Sequence, residues 1–177
     1  MKNYNIRYAS NPEGVKNYNT KQLREEFLIQ NLFTQDCLKW IYSHYDRFMV
    51  SGLIPLEKEV KLESIDPLKS SYFLERREMG IINVGGSGVI KVDGTTYDID
   101  TKEALYLGQG NQNVIFSSKS KDNPAKFYIN STPAHKAYPT KKIGIDDVEV
   151  IELGSAETAN ARTLRKYIVN SVVDVCQ

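Results

Sequence analysis

The residues best placed to do chemistry lie in Tyr72-Phe73-Leu74-Glu75-Arg76-Arg77-Glu78-Met79-Gly80. Alternate side chains of a strand share a face, so Tyr72, Leu74, Arg76 and Glu78 are expected on one side and Phe73, Glu75 and Arg77 on the other. That sets an arginine and a glutamate beside apolar groups. One reading is a partly buried ion pair or a pair of solvated rim charges. The functional reading is an anion-binding Arg76 in the mouth of a barrel, held by Glu78. A guanidinium fork suits a substrate carboxylate because its parallel N–H donors match the two oxygens. His44, in Tyr42-Ser43-His44-Tyr45-Asp46-Arg47, is a lone imidazole beside Asp and Arg. It reads as a hydrogen-bonded structural or surface residue, with proton transfer as the chemical alternative. His135 reads as a loop residue. The basic run around Lys136, Lys141 and Lys142 is expected to be a solvated loop that could steer an acidic sugar. Cys37 and Cys176 read as small buried hydrophobes, neither with a histidine nearby in sequence to activate it. Gly85-Gly86-Ser87-Gly88 invites comparison with a phosphate loop, but such a loop leads into a helix and this one leads into a strand-like run.

The elements that must position these groups are mostly strands. The chain has 15 Ile, 13 Val and 9 Thr against 8 Ala, and 11 Tyr, and β-branched and aromatic residues favour the pleated sheet. Residues 1–19 read as an irregular polar arm. Asn19, with Gln22 three positions on, resembles a capping box opening one helix over about residues 20–29. Strand-like segments follow at 38–44, 47–50, 56–62 and 72–84. Asp93-Gly94 between two β-rich runs signals a hairpin, because a type I′ turn needs φ > 0 at both central positions. Further strands are expected at 89–92, 95–99, 104–107, 114–116, 126–129, 148–153 and 166–175. Strands about every 8–12 residues with Gly, Pro and Asn between them indicate a sandwich or small barrel. The expected layout is an arm over 1–19, a β domain over 20–150, and a linker with the first strands of a second domain over 151–177. Those last strands either pack on the first domain or leave Ile168, Val169, Val172, Val173 and Val175 as an apolar patch awaiting a partner.

Composition bounds the function. At 177 residues the prior is one domain plus an extension, large enough to bury a core without disulfides or a structural metal. The 23 basic and 22 acidic side chains leave a net charge of +1, which excludes a strongly basic nucleic-acid binder though not a local basic patch. No apolar run exceeds four residues, so no membrane-spanning helix is expected, and the first residues lack the apolar core of a signal peptide. Two distant cysteines fit a reducing, cytoplasmic setting. Two histidines are too few for an ordinary catalytic metal site.

Glu78, six residues, then Gly85 resembles the end of the first cupin motif, and Gly108 to Asn113 resembles the second. Tyr72, Leu74 and Asn113 stand where those motifs carry histidines, so the cupin resemblance implies a degenerate, metal-free barrel. A more specific resemblance joins Glu26-Phe27-Leu28, residues 42–47, 71–80, 82–88, 104–108, 124–128 and 138–142, in order and with similar spacing. Together these resemble the 5-keto-4-deoxyuronate isomerases (4-deoxy-L-threo-5-hexosulose-uronate ketol-isomerases). The resemblance implies a bicupin sugar-acid isomerase of pectin and uronate breakdown, assembled as a homo-oligomer, a hexamer. It interconverts 5-dehydro-4-deoxy-D-glucuronate and 3-deoxy-D-glycero-2,5-hexodiulosonate. It also implies a zinc held by three His and a Glu in a second cupin domain, with ligands expected beyond Gln177. Arg76, Glu78, Lys141, Lys142 and His44 are the candidates in this half for touching the sugar acid. The alternative is a non-catalytic cupin-like module for binding or assembly.

Overall fold

The structure is a computed structural model and describes residues 2–176. In chain order the elements are β1 (Tyr4–Arg7), α1 (Pro12–Val15), α2 (Thr20–Phe27), β2 (Phe33–Gln35), β3 (Trp40–Ser43), β4 (Met49–Ile54) and β5 (Val60–Lys61). After two single 3-10 turns, Asp66–Leu68 and Phe73–Glu75, come β6 (Arg77–Asn83), β7 (Gly88–Val92), β8 (Thr95–Ile99), β9 (Ala104–Leu107), β10 (Val114–Ser118), β11 (Phe127–Pro133), β12 (Lys141–Ile143), β13 (Glu149–Leu153) and β14 (Arg162–Lys166).

The strands form two main sheets. The larger runs β1-β3-β4-β11-β6-β9-β12, with β2 also on β4; the smaller runs β5-β10-β7-β8. β13 and β14 make a separate hairpin. The alternation that the β-rich composition predicts is visible along β6 and β11. Met79, Ile81, Phe127 and Ile129 face the smaller sheet and share a core with Trp40, Met49, Leu53, Ile90, Leu105, Leu107 and Phe116. Trp40 stacks on Phe73 with ring centroids 4.5 Å apart, closing one end of that core. The architecture is the expected mainly β, cupin-like sandwich, with sheets that do not close into a complete barrel.

Several local expectations hold for the expected reason. Asp93 and Gly94 both take positive φ, 47° and 90°, between β7 and β8. Asn19 caps α2, and its side chain and that of Gln22 reciprocate on each other's backbone N–H. The glycine cluster at 85–88 is a tight turn. Asn83 is fully buried and donates to the carbonyls of Gly86 (2.7 Å) and Ile99 (2.9 Å), while accepting from the N–H groups of Gly85 and Lys126. A Cβ at Gly86 would strike the backbone carbonyl of Asn123, so the residue is glycine for close approach.

Other expectations need correction. The arm over 1–19 is not irregular: β1 pairs in parallel with β3, and α1 makes a second short helix. A parallel pairing depends on a partner some thirty-six positions away (Tyr4 on Trp40), which local patterning does not reveal. Residues 72–76 are not strand; a 3-10 turn occupies 73–75 and β6 begins at Arg77. Residues 167–176 are not strand either. They run as bends and turns across the outer face of the larger sheet, where Val173 and Val175 are buried beside Ala104, Tyr106 and Ile143. Ile168 and Val172 pack against the same cluster. Cys37 is exposed rather than buried, and Cys176 is half-buried. Among the described residues no helix is long and apolar enough to cross a membrane.

Candidate functional site

Chemistry concentrates at one end of the sandwich, where β3, β4, β6 and β11 meet. Tyr45 to Phe48 form a two-residue hairpin turn between β3 and β4, closed by Phe48 N–H donating to the Tyr45 carbonyl at 3.0 Å. Asp46 and Arg47 sit at its centre with φ of 51° and 54°. Asp tolerates the left-handed region, but Arg pays a steric penalty of about 1 kcal/mol there. That conformation turns the Arg47 carbonyl toward Arg77, whose Nη2 donates to it at 2.7 Å. Nη2 also donates to the Ser131 carbonyl (2.7 Å) and Nε to Ser131 Oγ (3.1 Å). Ser131 Oγ in turn donates to the Glu78 carbonyl at 2.6 Å. Arg77 therefore ties the rim of β6 to β11 and to the β3–β4 turn, and it does so with only 5% of its surface exposed.

Arg76 stands beside it, outside the strand. Its Nη2 donates to the carbonyls of Leu68 (2.9 Å) and Lys69 (2.8 Å), which fixes the guanidinium against the first 3-10 turn. Arg47, Arg76 and Arg77 all line one cavity of about 380 Å³ together with Tyr42, Ser70 and Phe73. No Asp or Glu lines it, and among the described residues none of the three arginines forms an ion pair. The Glu75 carboxylate is turned onto the Ser71 N–H at 2.6 Å. Burial holds the Arg77 guanidinium down to about 10; the nearby Tyr42 phenol opposes that shift and the charge of Arg47 adds to it. The group is still cationic at neutral pH, and its buried charge is met only by neutral acceptors. Three cationic side chains and no carboxylate among the lining residues make a setting suited to an anion, and the lining holds no His, Asp or Glu to act as a general base.

The expected partnership of Arg76 with Glu78 does not form. Because the strand starts at Arg77, the alternation that would put both on one face is broken by the 3-10 turn. Glu78 points to the outer face, where it is fully buried. Its carboxylate accepts from Tyr106 Oη at 2.7 Å and from the Cys176 backbone N–H at 2.9 and 3.1 Å. Burial, then the Glu78 hydrogen bond, push the Tyr106 phenol well above its ordinary range, so it remains a donor. Nearby on the same face, Asn130 Oδ1 and Thr132 Oγ1 are buried without a protein partner.

The remaining candidates are dispersed. His44 stacks on Tyr8 with centroids 4.6 Å apart and meets Tyr42 edge-on at 5.4 Å, so it borders the cavity wall without lining the cavity. Lys141 and Lys142 are strand residues at the edge of the larger sheet, not loop residues. Lys142 pairs with Glu103 at 2.7 Å, and Lys141 Nζ donates to the Val172 carbonyl at 2.5 Å, clasping the C-terminal segment. Lys136 sits over the Tyr138 ring at 4.7 Å. His135 is exposed. Sequence reasoning missed Arg77 as a site residue and did not single out Arg47. A signal for Arg47 was present: two residues, Asp46-Arg47, separate β-rich runs, and an arginine at the second turn position is costly there.

The sequence model of the KduI/IolB family matches residues 27–177. The chain belongs to that family. A 4-deoxy-L-threo-5-hexosulose-uronate ketol-isomerase from Formosa agariphila is 53% identical over 174 residues, 98% of this chain and 62% of the relative. One from Bacteroides fragilis is 50% identical over 175 residues, 99% of this chain and 62% of the relative. The chain thus spans about three-fifths of the length of these curated relatives. A solved IolB-like protein from Salmonella typhimurium LT2 superposes with a TM-score of 0.54 at 15% identity, covering 72% of this chain and 46% of that one. This likeness to another KduI/IolB-type structure speaks for the fold alone.

The zinc that the resemblance implies does not fit the described residues of this KduI/IolB chain. No group of three His, Cys, Asp or Glu converges among them. Leu74 is buried in the core without a donor atom, Asn113 is exposed, and Glu78 is turned out of the sandwich.

Proposed function

We propose that this chain is part of a sugar-acid ketol isomerase that interconverts 5-dehydro-4-deoxy-D-glucuronate and 3-deoxy-D-glycero-2,5-hexodiulosonate in uronate breakdown. The observation that carries this reading is the identity of 53% and 50%, over nearly the whole chain, to proteins named for that activity. A ketol isomerisation moves hydrogen between adjacent carbons of an α-hydroxy carbonyl, an intramolecular oxidation and reduction. It needs a stabiliser for the developing oxyanion and a base to carry the proton. The arginine cavity has no His, Asp or Glu in its lining, and this reading assigns the base and any metal ligands to the part of the relatives' length that this chain does not span. Zinc, if it serves the reaction, is held there too. This half supplies a rigid β scaffold and cationic groups, and the complete protein assembles as a homo-oligomer.

The second reading, a binding module without chemistry of its own, is favoured by one observation: the cavity has three arginines and no general base. The two readings are compatible if the chain is the binding half of a longer enzyme. The test is to read the DNA past codon 177 and assay the encoded protein with the unsaturated uronate product of pectin cleavage and added zinc. The complete protein should show turnover, and residues 1–177 alone should show none. Isomerisation by the 177-residue chain with zinc bound in stoichiometric amount would overturn the division of labour. A stop codon at 178 with no turnover would overturn the isomerase reading.

A further inference from the structure

We propose that the cavity between the Tyr45–Phe48 turn and the start of β6 is a carboxylate-binding site that takes a sugar acid of the uronate class. The choice of a sugar acid over other anions rests on the isomerase reading; the site itself rests on geometry.

Arg77 is buried, and its Nε and Nη2 are committed to Ser131 and to the Arg47 carbonyl. Nη1 makes no hydrogen bond among the described residues, although two N–H donors sit on it. A purely structural tie between β6, β11 and the turn uses only the committed atoms. A neutral side chain could make such a tie without bringing a charge into a site closed to 5% exposure. Arg47 points the same way. It occupies a left-handed turn position where glycine would be unstrained, so a cation is kept there against local preference. Arg76 completes the set, its guanidinium held by two carbonyls so that little side-chain entropy is lost when an anion docks. Three cations, two of them held by hydrogen bonds and none facing a carboxylate in the cavity, are matched by an external anion that accepts from Nη1 and the neighbouring forks. Tyr42 and Phe73 supply aromatic lining beside the cations, and Ser70 a hydroxyl that is shared with Ser64 Oγ at 2.8 Å. A volume of about 380 Å³ is within the range of small-molecule sites and accommodates a hexuronate.

The test is calorimetric titration of the 177-residue chain with D-galacturonate, with its neutral methyl ester, and with inorganic phosphate. Galacturonate should bind saturably, and the ester, which keeps the ring and loses the charge, should bind roughly tenfold more weakly or not at all. Arg47→Gly should weaken galacturonate binding roughly tenfold while the unfolding temperature stays level or rises, and Arg76→Ala should weaken it without loss of fold. Equal binding of acid and ester overturns the proposal, as does Arg47→Gly binding like the parent. Tighter binding of phosphate than of galacturonate overturns the assignment to a carboxylate. Turnover by the complete protein, with no galacturonate binding to residues 1–177, removes this site and leaves the isomerase reading intact. Binding without turnover by the complete protein does the reverse.

Discussion

Arg77 and Glu78 are neighbours on one strand with opposite charges, and they are buried on opposite faces of the same sheet. They never pair. Glu78 lies under the C-terminal segment, and its carboxylate is enclosed by donors from Tyr106 and Cys176. Arg77 lies at the end of the core, and part of its guanidinium opens onto a cavity with two more cations. A buried charge closed off by neutral hydrogen bonds holds structure together. A buried charge left open, with like charges beside it, costs stability, and such groups cluster at functional sites.

This contrast can be broken at several points. Glu78→Ala leaves the fully buried Tyr106 hydroxyl and the Cys176 N–H without an acceptor and should destabilise by about 3 kcal/mol in chemical denaturation. A loss under about 1 kcal/mol would mean that Glu78 is no structural anchor. Gly80→Ala puts a methyl group onto the ends of the Ile168 and Asn130 side chains, which must turn aside, and should cost about 1 kcal/mol. Faster amide exchange over residues 167–176 should accompany it, and unchanged exchange there would argue that the segment is not seated as described. Tyr106→Phe removes one donor to Glu78 while keeping the ring, and thermal unfolding should register about 1 kcal/mol. At the arginine end the sign reverses. Arg47→Gly should be neutral or stabilising by about 0.5 kcal/mol, because the turn becomes Asp-Gly, the preferred type I′ pair. A clear destabilisation would make Arg47 a structural residue and weaken the contrast.

How much of this was legible in the sequence depended on how local each cause was. The Asp93-Gly94 hairpin and the Asn19–Gln22 capping box are set by adjacent residues, and both form where their motifs stand. The faces of Arg76 and Glu78 were misread because a period of two was extended through residues 73–75, where a 3-10 turn breaks it. The segment at 167–176 was misread because burial of Val173 and Val175 against a sheet selects the same β-branched residues as a strand does. Arg77 escaped notice as a site residue because its role depends on Ser131, 54 positions away, and on a backbone carbonyl whose position no motif records.

The hydrogen bond from the Cys176 N–H to Glu78 joins residues 98 apart, and it sets a clock on synthesis. Every strand of the two main sheets has been made by Ile143, yet the outer face of β6 and β9, touched by Tyr138 and Val148, is not closed until residues 167–176 follow. While the chain is still on the ribosome, Glu78 and the apolar groups around Tyr106 face water, and the sandwich is half dressed. Docking of residues 167–176 closes the contacts of high sequence separation at this face, the kind that raise contact order. A nascent chain halted before codon 167 would keep this face open, an apolar surface on which a chaperone or a second chain could dock.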